Sequence, residues 1–362
     1  MRPLPHPRLW PWLLPVSWLY EFVTTLRNKA FDWGWLPQQR FSVPVITVGN
    51  LAVGGTGKTP HTEYLLRLLE QKFRVATLSR GYGRKSKGFR MVEQESTAAE
   101  SGDEPLQMKH KFPCVAVAVD ENRRRGIQQL LSRIPIPEVF ILDDALQHRY
   151  VQAGLNILLT DYSRLYTRDL VLPAGRLREA PQGAKRSNII IVTKCPEDLS
   201  RQEAAVIRRE LHLQPEQHLF FTTFRYRHPY PVFGAESDGT LQGSRVLAIT
   251  GIAHPEPMFK QLEEEGAEVT PLTFPDHHTF SDNDINRINK TFNELWEPPC
   301  LAITTEKDAA RLRDMAGLSP LLKVHLFALP IEVDFLLGGE PAFKKLIFSY
   351  LDKINNHHNN GH

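Results

Sequence analysis

Apolar, β-branched runs recur along the chain at 43–48, 73–78, 114–119, 139–142, 155–160 and 188–193. Stretches with helical spacing of apolar residues lie between several of them. This alternation predicts a mostly parallel sheet covered by helices on both faces. An aromatic strand follows at 218–227, then a Pro/Gly-rich stretch at 228–243. A second alternation begins at Arg245: a strand to 250, a helix from 255, a strand near 269–274, a helix over 281–296 and a strand over 300–304. It reads as a second, smaller α/β unit. A strand at 323–329 is expected to return beside 218–227 as a two-stranded link, and 341–354 to close the chain as a helix. The expected organisation is therefore an aromatic N-terminal helix (1–35), a core domain (36–227), a smaller lid domain (228–322), a return strand and closing helix of the core (323–354), and a disordered Asn/His-rich tail (355–362).

The first 35 residues stand apart. Five of the six tryptophans lie there: Trp10, Trp12, Trp18, Trp33 and Trp35. The apolar run 9–20 contains Pro11 and Pro15, and is too short and broken for a transmembrane helix. No small-residue cleavage site follows it, against a signal peptide. From Val16 onward, Leu19, Tyr20, Val23, Leu26 and Ala30 share one helical face, flanked by Arg2, Arg8, Arg27, Lys29 and Arg40. Tryptophan beside arginine and lysine suits the lipid headgroup region. The alternative is a helix packed on the protein's own core.

Composition narrows the class. The 362 residues are 41% hydrophobic and 23% charged, as in globular proteins. A net charge of +3 makes no case for nucleic acid. Cys114, Cys195 and Cys300 are far apart, with no metal spacing and no disulfide framework. They read as reduced, buried thiols of a cytoplasmic protein.

The chemistry is concentrated after the first apolar run, where Ala52, Val53, Gly54, Gly55, Thr56, Gly57, Lys58 and Thr59 follow in order. Glycine lets such a loop aim several N–H groups at one anion. Lys58 is placed to reach the β- and γ-phosphates of a nucleotide, and the Thr59 hydroxyl to hold Mg²⁺. The helix expected from about 59 to 70 adds its N-terminal partial charge. Ala52 stands where the strict pattern has glycine, a relaxed form of the loop.

Other motifs extend this site. The run 139–144 is a buried strand ending in Asp143 and Asp144, an acidic end that in phosphate-loop enzymes orders Mg²⁺. Residues 188–196 resemble a guanine-reading motif, but Pro196 replaces the aspartate it needs, which favours ATP over GTP. Gly102-Asp103-Glu104-Pro105 supplies either a carboxylate base near the γ-phosphate or a helix N-cap. Asp276 and His277, with His278 as the alternative ring, offer an Asp–His pair in the second unit. Thr305-Glu306-Lys307-Asp308 either approaches phosphate or caps a helix. The loop 79–84 is basic and glycine-rich, suited to an anionic substrate. Arg123-Arg124-Arg125 is either the same or a solvated helix face. The segment 172–179 offers an arginine to the phosphates.

Taken together and in this order, the motifs resemble the tetraacyldisaccharide 4′-kinase family, the lipid A 4′-kinases of Gram-negative bacteria. They are 48–60, 79–84, 102–105, 143–148, 172–179, 274–278, 305–308 and the aromatic N-terminal helix. The resemblance spans about residues 10–350. It implies a phosphate-loop NTPase-like α/β/α sandwich with a second, smaller α/β domain and a two-stranded link, the active site lying between the units. It implies an ATP- and Mg²⁺-dependent kinase on the cytoplasmic face of the inner membrane, reached through residues 1–35. The acceptor would be the 4′-hydroxyl of a tetraacylated glucosamine disaccharide 1-phosphate, with no nucleic acid and no obligate protein partner. Carried onto this chain, Lys58 and Thr59 hold ATP and metal, and Asp143 and Asp144 serve the metal. Asp103 is the general base, with His277 its partner after closure. Glu104, His148, Arg178, Glu179, Asp276 and Glu306 complete the site. Ala145 and Arg176 depart from the usual family residues without touching these groups.

Two other classes share the loop. A membrane-associated partition ATPase would carry a lysine where Val53 stands. A GTP-dependent metallochaperone would need the missing aspartate and a Cys/His cluster.

Overall fold

A computed structural model describes residues 10–234, 238–276 and 278–359, apart from the side chains of 355–359. Its strands are β1 (Val45–Asn50), β2 (Val75–Ser79), β3 (Arg90–Met91), β4 (Ala116–Val119), β5 (Val139–Asp143), β6 (Leu155–Asp161), β7 (Ile189–Thr193) and β8 (His218–Tyr226), followed by β9 (Tyr230–Pro231), β10 (Arg245–Thr250), β11 (Glu268–Thr273), β12 (Cys300–Thr305), β13 (Leu326–Leu329) and β14 (Ile331–Phe335). The larger sheet has the order β14-β8-β7-β6-β1-β5-β2-β4-β3, the smaller β11-β10-β12-β13-β9. In the larger sheet only β3 and β14 run antiparallel to their neighbours.

The apolar runs form strands buried on both faces, as a parallel sheet requires. Along β5, Val139 and Ile141 pack into one core with Leu65, Leu66 and Phe343. Phe140 and Leu142 pack into another, with Leu78, Ile127 and Leu130. Burying each such side chain contributes roughly 1.5–3 kcal/mol, so the strand ends are firm supports for the loops above them. The mixed α/β sandwich with a second, smaller sheet is the architecture expected.

The link differs from the expectation over 323–329. Pro320–His325 is a helix, and β13 joins the smaller sheet beside β12. The strand returning beside β8 is β14, with Ile331 opposite Tyr226. Pro330 separates the two: it has no N–H, so the ladder breaks there, while its carbonyl accepts from Arg227 N at 3.0 Å. On the far side, Ala328 pairs with Tyr230. The result is one antiparallel ribbon, β8–β9 against β13–β14, that belongs to both sheets.

The closing helix runs Glu340–Asn359, beyond the expected end at 354 and into the segment read as a disordered tail. Residues 360–362 lie outside the described residues. Cys195 and Cys300 are buried, but Cys114 is exposed, because it sits in the turn before β4 rather than in the strand.

The N-terminal helix, Leu14–Asp32, buries only Ser17 and Phe31. Its polar side faces the protein: Ser17 Oγ accepts from Ala174 N at 2.9 Å, and Asn28 Nδ2 donates to Glu179 at 2.7 Å. Its apolar side faces outward, with Leu19 65% exposed and the preceding Trp12 75%. No helix among the described residues is long and apolar enough to cross a membrane.

Candidate active site

The loop after β1 folds as its glycines dictate. Gly57 has φ +86°, and a Cβ there would meet the Phe224 ring at 2.4 Å. Gly54 has φ +108°. Around them, Asn50 Nδ2 donates to Thr56 Oγ1 at 2.8 Å, and Thr193 Oγ1 donates to the Thr56 carbonyl at 2.9 Å. Lys194 Nζ bonds the Gly55 carbonyl and Asp161, the latter at 2.9 Å. The 193–194 pair thus braces the loop from behind. The helix Lys58–Leu69 begins with no side-chain cap, so its first N–H groups remain for an anion. His61 bonds the Gly57 carbonyl at 2.8 Å and Thr222 Oγ1 at 3.1 Å. Burial holds its pKa down to about 4, so the ring is neutral.

The acidic end of β5 stands beside Lys58. Asp143 is buried and accepts from Thr62 Oγ1 at 3.2 Å. Burial, and then the charges of Glu104 and Asp144, push its pKa up to about 7. Asp144 lies 3.9 Å from Lys58 Nζ and takes two bonds from Arg178, at 3.1 and 2.7 Å. Burial would raise Asp144, but Lys58 and Arg178 outweigh it and hold the carboxyl below its ordinary range. Arg178 also bonds the Asn50 carbonyl and side chain. Its segment lies along the loop, with Val53 N donating to Arg176 O at 2.8 Å and Arg178 N to Leu51 O at 2.7 Å.

Arg123 and His148 face these carboxylates. Arg123 is buried, and its Nε and Nη2 have no hydrogen-bond partner in the protein. Burial lowers its pKa to about 10 against the pull of Asp143 and Asp144. His148 is pushed to about 4, by burial and then by Arg123. A cleft of about 420 Å³ continues from here towards the N-terminal helix, lined by Arg27, Asn122, Arg124, Gln147, His148 and Tyr150 among others.

Asp103 is the first residue of the helix Asp103–Lys111. The preceding Gly102, φ +88°, packs on the Tyr82 carbonyl, and Gly81 packs on the Ser101 carbonyl, so the basic loop 79–84 lies against this turn. The Asp103 carboxylate is held by Arg311 of the smaller unit, at 2.9 Å from Nε.

The fold thus brings Lys58, Glu104, Asp143, Asp144, His148 and Arg178 to one place. Three expected members lie elsewhere. Glu179 is buried behind the loop, bonded to Arg186, Asn28 and Gln147, and anchors the N-terminal helix. Glu306 sits at the junction of the units, 2.8 Å from Lys111 and 3.2 Å from Tyr230. Thr305 caps its helix by accepting from Asp308 N. Asp276 is exposed on the turn after β11. His277 lies outside the described residues. His278 pairs with Asp284 at 3.0 Å and stacks on Phe274 at 5.0 Å. Arg311 was not singled out from sequence, and Asn50 and Lys194 lay inside the motifs 48–60 and 188–196 without a role of their own.

No cluster of three or more metal-ligating side chains forms among the described residues. A divalent ion held partly by nucleotide phosphates needs only one or two carboxylates. Burial first, and then the neighbouring charges of Glu104 and Asp144, raise Asp143, and a cation bound here would relieve that crowding of charge.

Comparison with known proteins identifies one family. The family model for LpxK, tetraacyldisaccharide-1-P 4′-kinase, matches residues 9–352. A tetraacyldisaccharide 4′-kinase of Bacteroides thetaiotaomicron is 50% identical over 352 residues, covering 94% of this chain and 93% of its own. One from Porphyromonas gingivalis is 42% identical, covering 93% of this chain and 96% of its own. A crystal structure of LpxK from Aquifex aeolicus in complex with ATP superposes with a TM-score of 0.73 at 32% identity, covering 94% of this chain and 98% of that one.

Proposed function

The chain belongs to the tetraacyldisaccharide-1-P 4′-kinase family, and from that premise we propose that it transfers the γ-phosphate of ATP to the 4′-hydroxyl of a tetraacylated glucosamine disaccharide 1-phosphate. The observation that carries this is Lys58, Asp144 and Arg178 converging above a glycine loop and an uncapped helix start. The partition-ATPase and metallochaperone readings fall away with family membership.

Phosphoryl transfer depends on positioning and charge neutralisation. The loop N–H groups and Lys58 hold the triphosphate, and Arg178 keeps Asp144 aimed at it. Asp143, Asp144 and Thr59 are the groups to hold Mg²⁺, which when bound neutralises phosphate charge. Asp103 takes the proton of the 4′-hydroxyl as its oxygen bonds to the γ-phosphorus and the bond to ADP breaks. The cleft beside His148 and Arg124 receives the sugar headgroup. The smaller unit, from β9 to β13, acts as a lid that excludes water.

The outward apolar face of Leu14–Asp32 rests in the headgroup region of the cytoplasmic leaflet of the inner membrane, bringing the site to a lipid that stays in the bilayer. The reading is tested by incubating the protein with γ-labelled ATP, with and without the tetraacyl disaccharide 1-phosphate in detergent micelles. Label in the lipid is expected; ATP hydrolysis without transfer overturns it.

A further inference from the structure

Arg311 belongs to the helix Glu306–Arg313 of the smaller unit, yet its guanidinium reaches across to the larger one. Nε donates to Asp103 Oδ2 at 2.9 Å, and Nη2 bonds the same oxygen. Nη1 donates to Asp308 Oδ1 at 3.1 Å, and the Arg311 side chain is only 8% exposed. Asp308 is itself fixed: it is fully buried, and its Oδ2 accepts from Gly251 N and from Thr305 Oγ1, each at 2.8 Å. A chain of rigid contacts therefore runs from the β10 and β12 ends of the smaller unit to one oxygen of Asp103. Two donors from one planar guanidinium converge on this oxygen and hold it in place, as a single ammonium donor would not. Both go to Oδ2, which leaves Oδ1 to take a proton.

We propose that Arg311 is a positioning residue that presents Asp103 Oδ1 to the acceptor hydroxyl, so that the base is aimed only when the smaller unit is docked. This rests on Asp103 being the base. At transfer the hydroxyl proton passes to Oδ1 while the new O–P bond forms and the bond to ADP breaks. Arg311 is not needed merely to join the units. Lys111 bridges Glu63 and Glu306 at 2.6 and 2.8 Å, Arg313 meets His110 at 2.6 Å, and Ala98 N donates to Asp314 at 3.2 Å across the same junction.

The test uses the full chain with ATP and the tetraacyl disaccharide 1-phosphate, reading kcat, KM for ATP and the thermal midpoint. Arg311→Ala is expected to lower kcat about 10²-fold, leaving KM for ATP near wild type and lowering the midpoint because buried Asp308 loses its cationic partner, with part of kcat recovered in Arg311→Lys. Asp103→Asn added to Arg311→Ala should cost far less than in wild type, because the two act as a unit. Wild-type kcat in Arg311→Ala with Asp103→Asn inactive overturns the proposal and leaves the base standing. Near-normal turnover in Asp103→Asn removes the base and the proposal together. Fully additive kcat losses in the double variant make Arg311 structural only, which also overturns it. Should Arg311→Ala not fold, Arg311→Lys serves: reduced kcat at unchanged KM supports the role, and wild-type kcat refutes it.

Discussion

Arg178 grips Asp144 through two hydrogen bonds, at 3.1 and 2.7 Å, while the same guanidinium holds Asn50 at the end of β1. Asp144 is thereby tied to the strand end and loop that carry Lys58. Arg178→Lys keeps the charge and loses the fork. It should lower kcat/KM about 10-fold, and Arg178→Ala about 10²-fold, with a raised Mg²⁺ requirement. Steady-state kinetics across a Mg²⁺ titration checks this; an unchanged Mg²⁺ dependence in Arg178→Ala would separate Arg178 from the metal groups.

Gly57 tests the loop. A side chain there meets a left-handed backbone, costing roughly 1–2 kcal/mol, and a ring 2.4 Å away. Gly57→Ala should abolish measurable ATP binding by calorimetry and lower the thermal midpoint. Adding Phe224→Leu should restore part of the midpoint but not the binding, because the φ strain remains. Wild-type ATP affinity in Gly57→Ala would contradict the assigned loop.

His61 sets a pH dependence. Its folded pKa of about 4 lies below the ordinary 6.5, so its contribution to stability is fully present above pH 6.5 and is lost as pH falls towards 4. At about 1.4 kcal/mol per unit, the loss by pH 4 is about 3 kcal/mol. Urea unfolding at pH 7, 5.5 and 4 should show wild type declining more steeply than His61→Gln. Parallel declines would assign the acid sensitivity elsewhere.

The exposed face of Leu14–Asp32 predicts a lipid phenotype without a fold phenotype. Trp18→Ser with Phe22→Ser removes two exposed aromatics. Each buried aromatic is worth roughly 1.5–3 kcal/mol, so flotation with anionic vesicles should show affinity reduced at least 10-fold, while ATP binding stays intact. Equal flotation of variant and wild type would remove this helix from membrane contact.

Local chemistry made much of this legible in sequence. Short β-branched runs bounded by turn residues favour strands, and 52–59 folds tightly because glycine permits φ above zero at Gly54 and Gly57. Asp143 and Asp144 were readable because a strand end presents its last side chains beside that loop. Tertiary structure decided what depends on distant partners. Pro330 sent 326–329 to the smaller sheet and 331–335 to the larger. Glu179 was drawn from the site by Arg186 and Asn28. Helical periodicity found the apolar face at the N-terminus but not its direction; hydrogen bonds of Ser17 and Asn28 to the core turned it outward. Arg311 meets Asp103 across 208 positions of chain, a pairing that exists only once two sheets and their ribbon have set one helix against another.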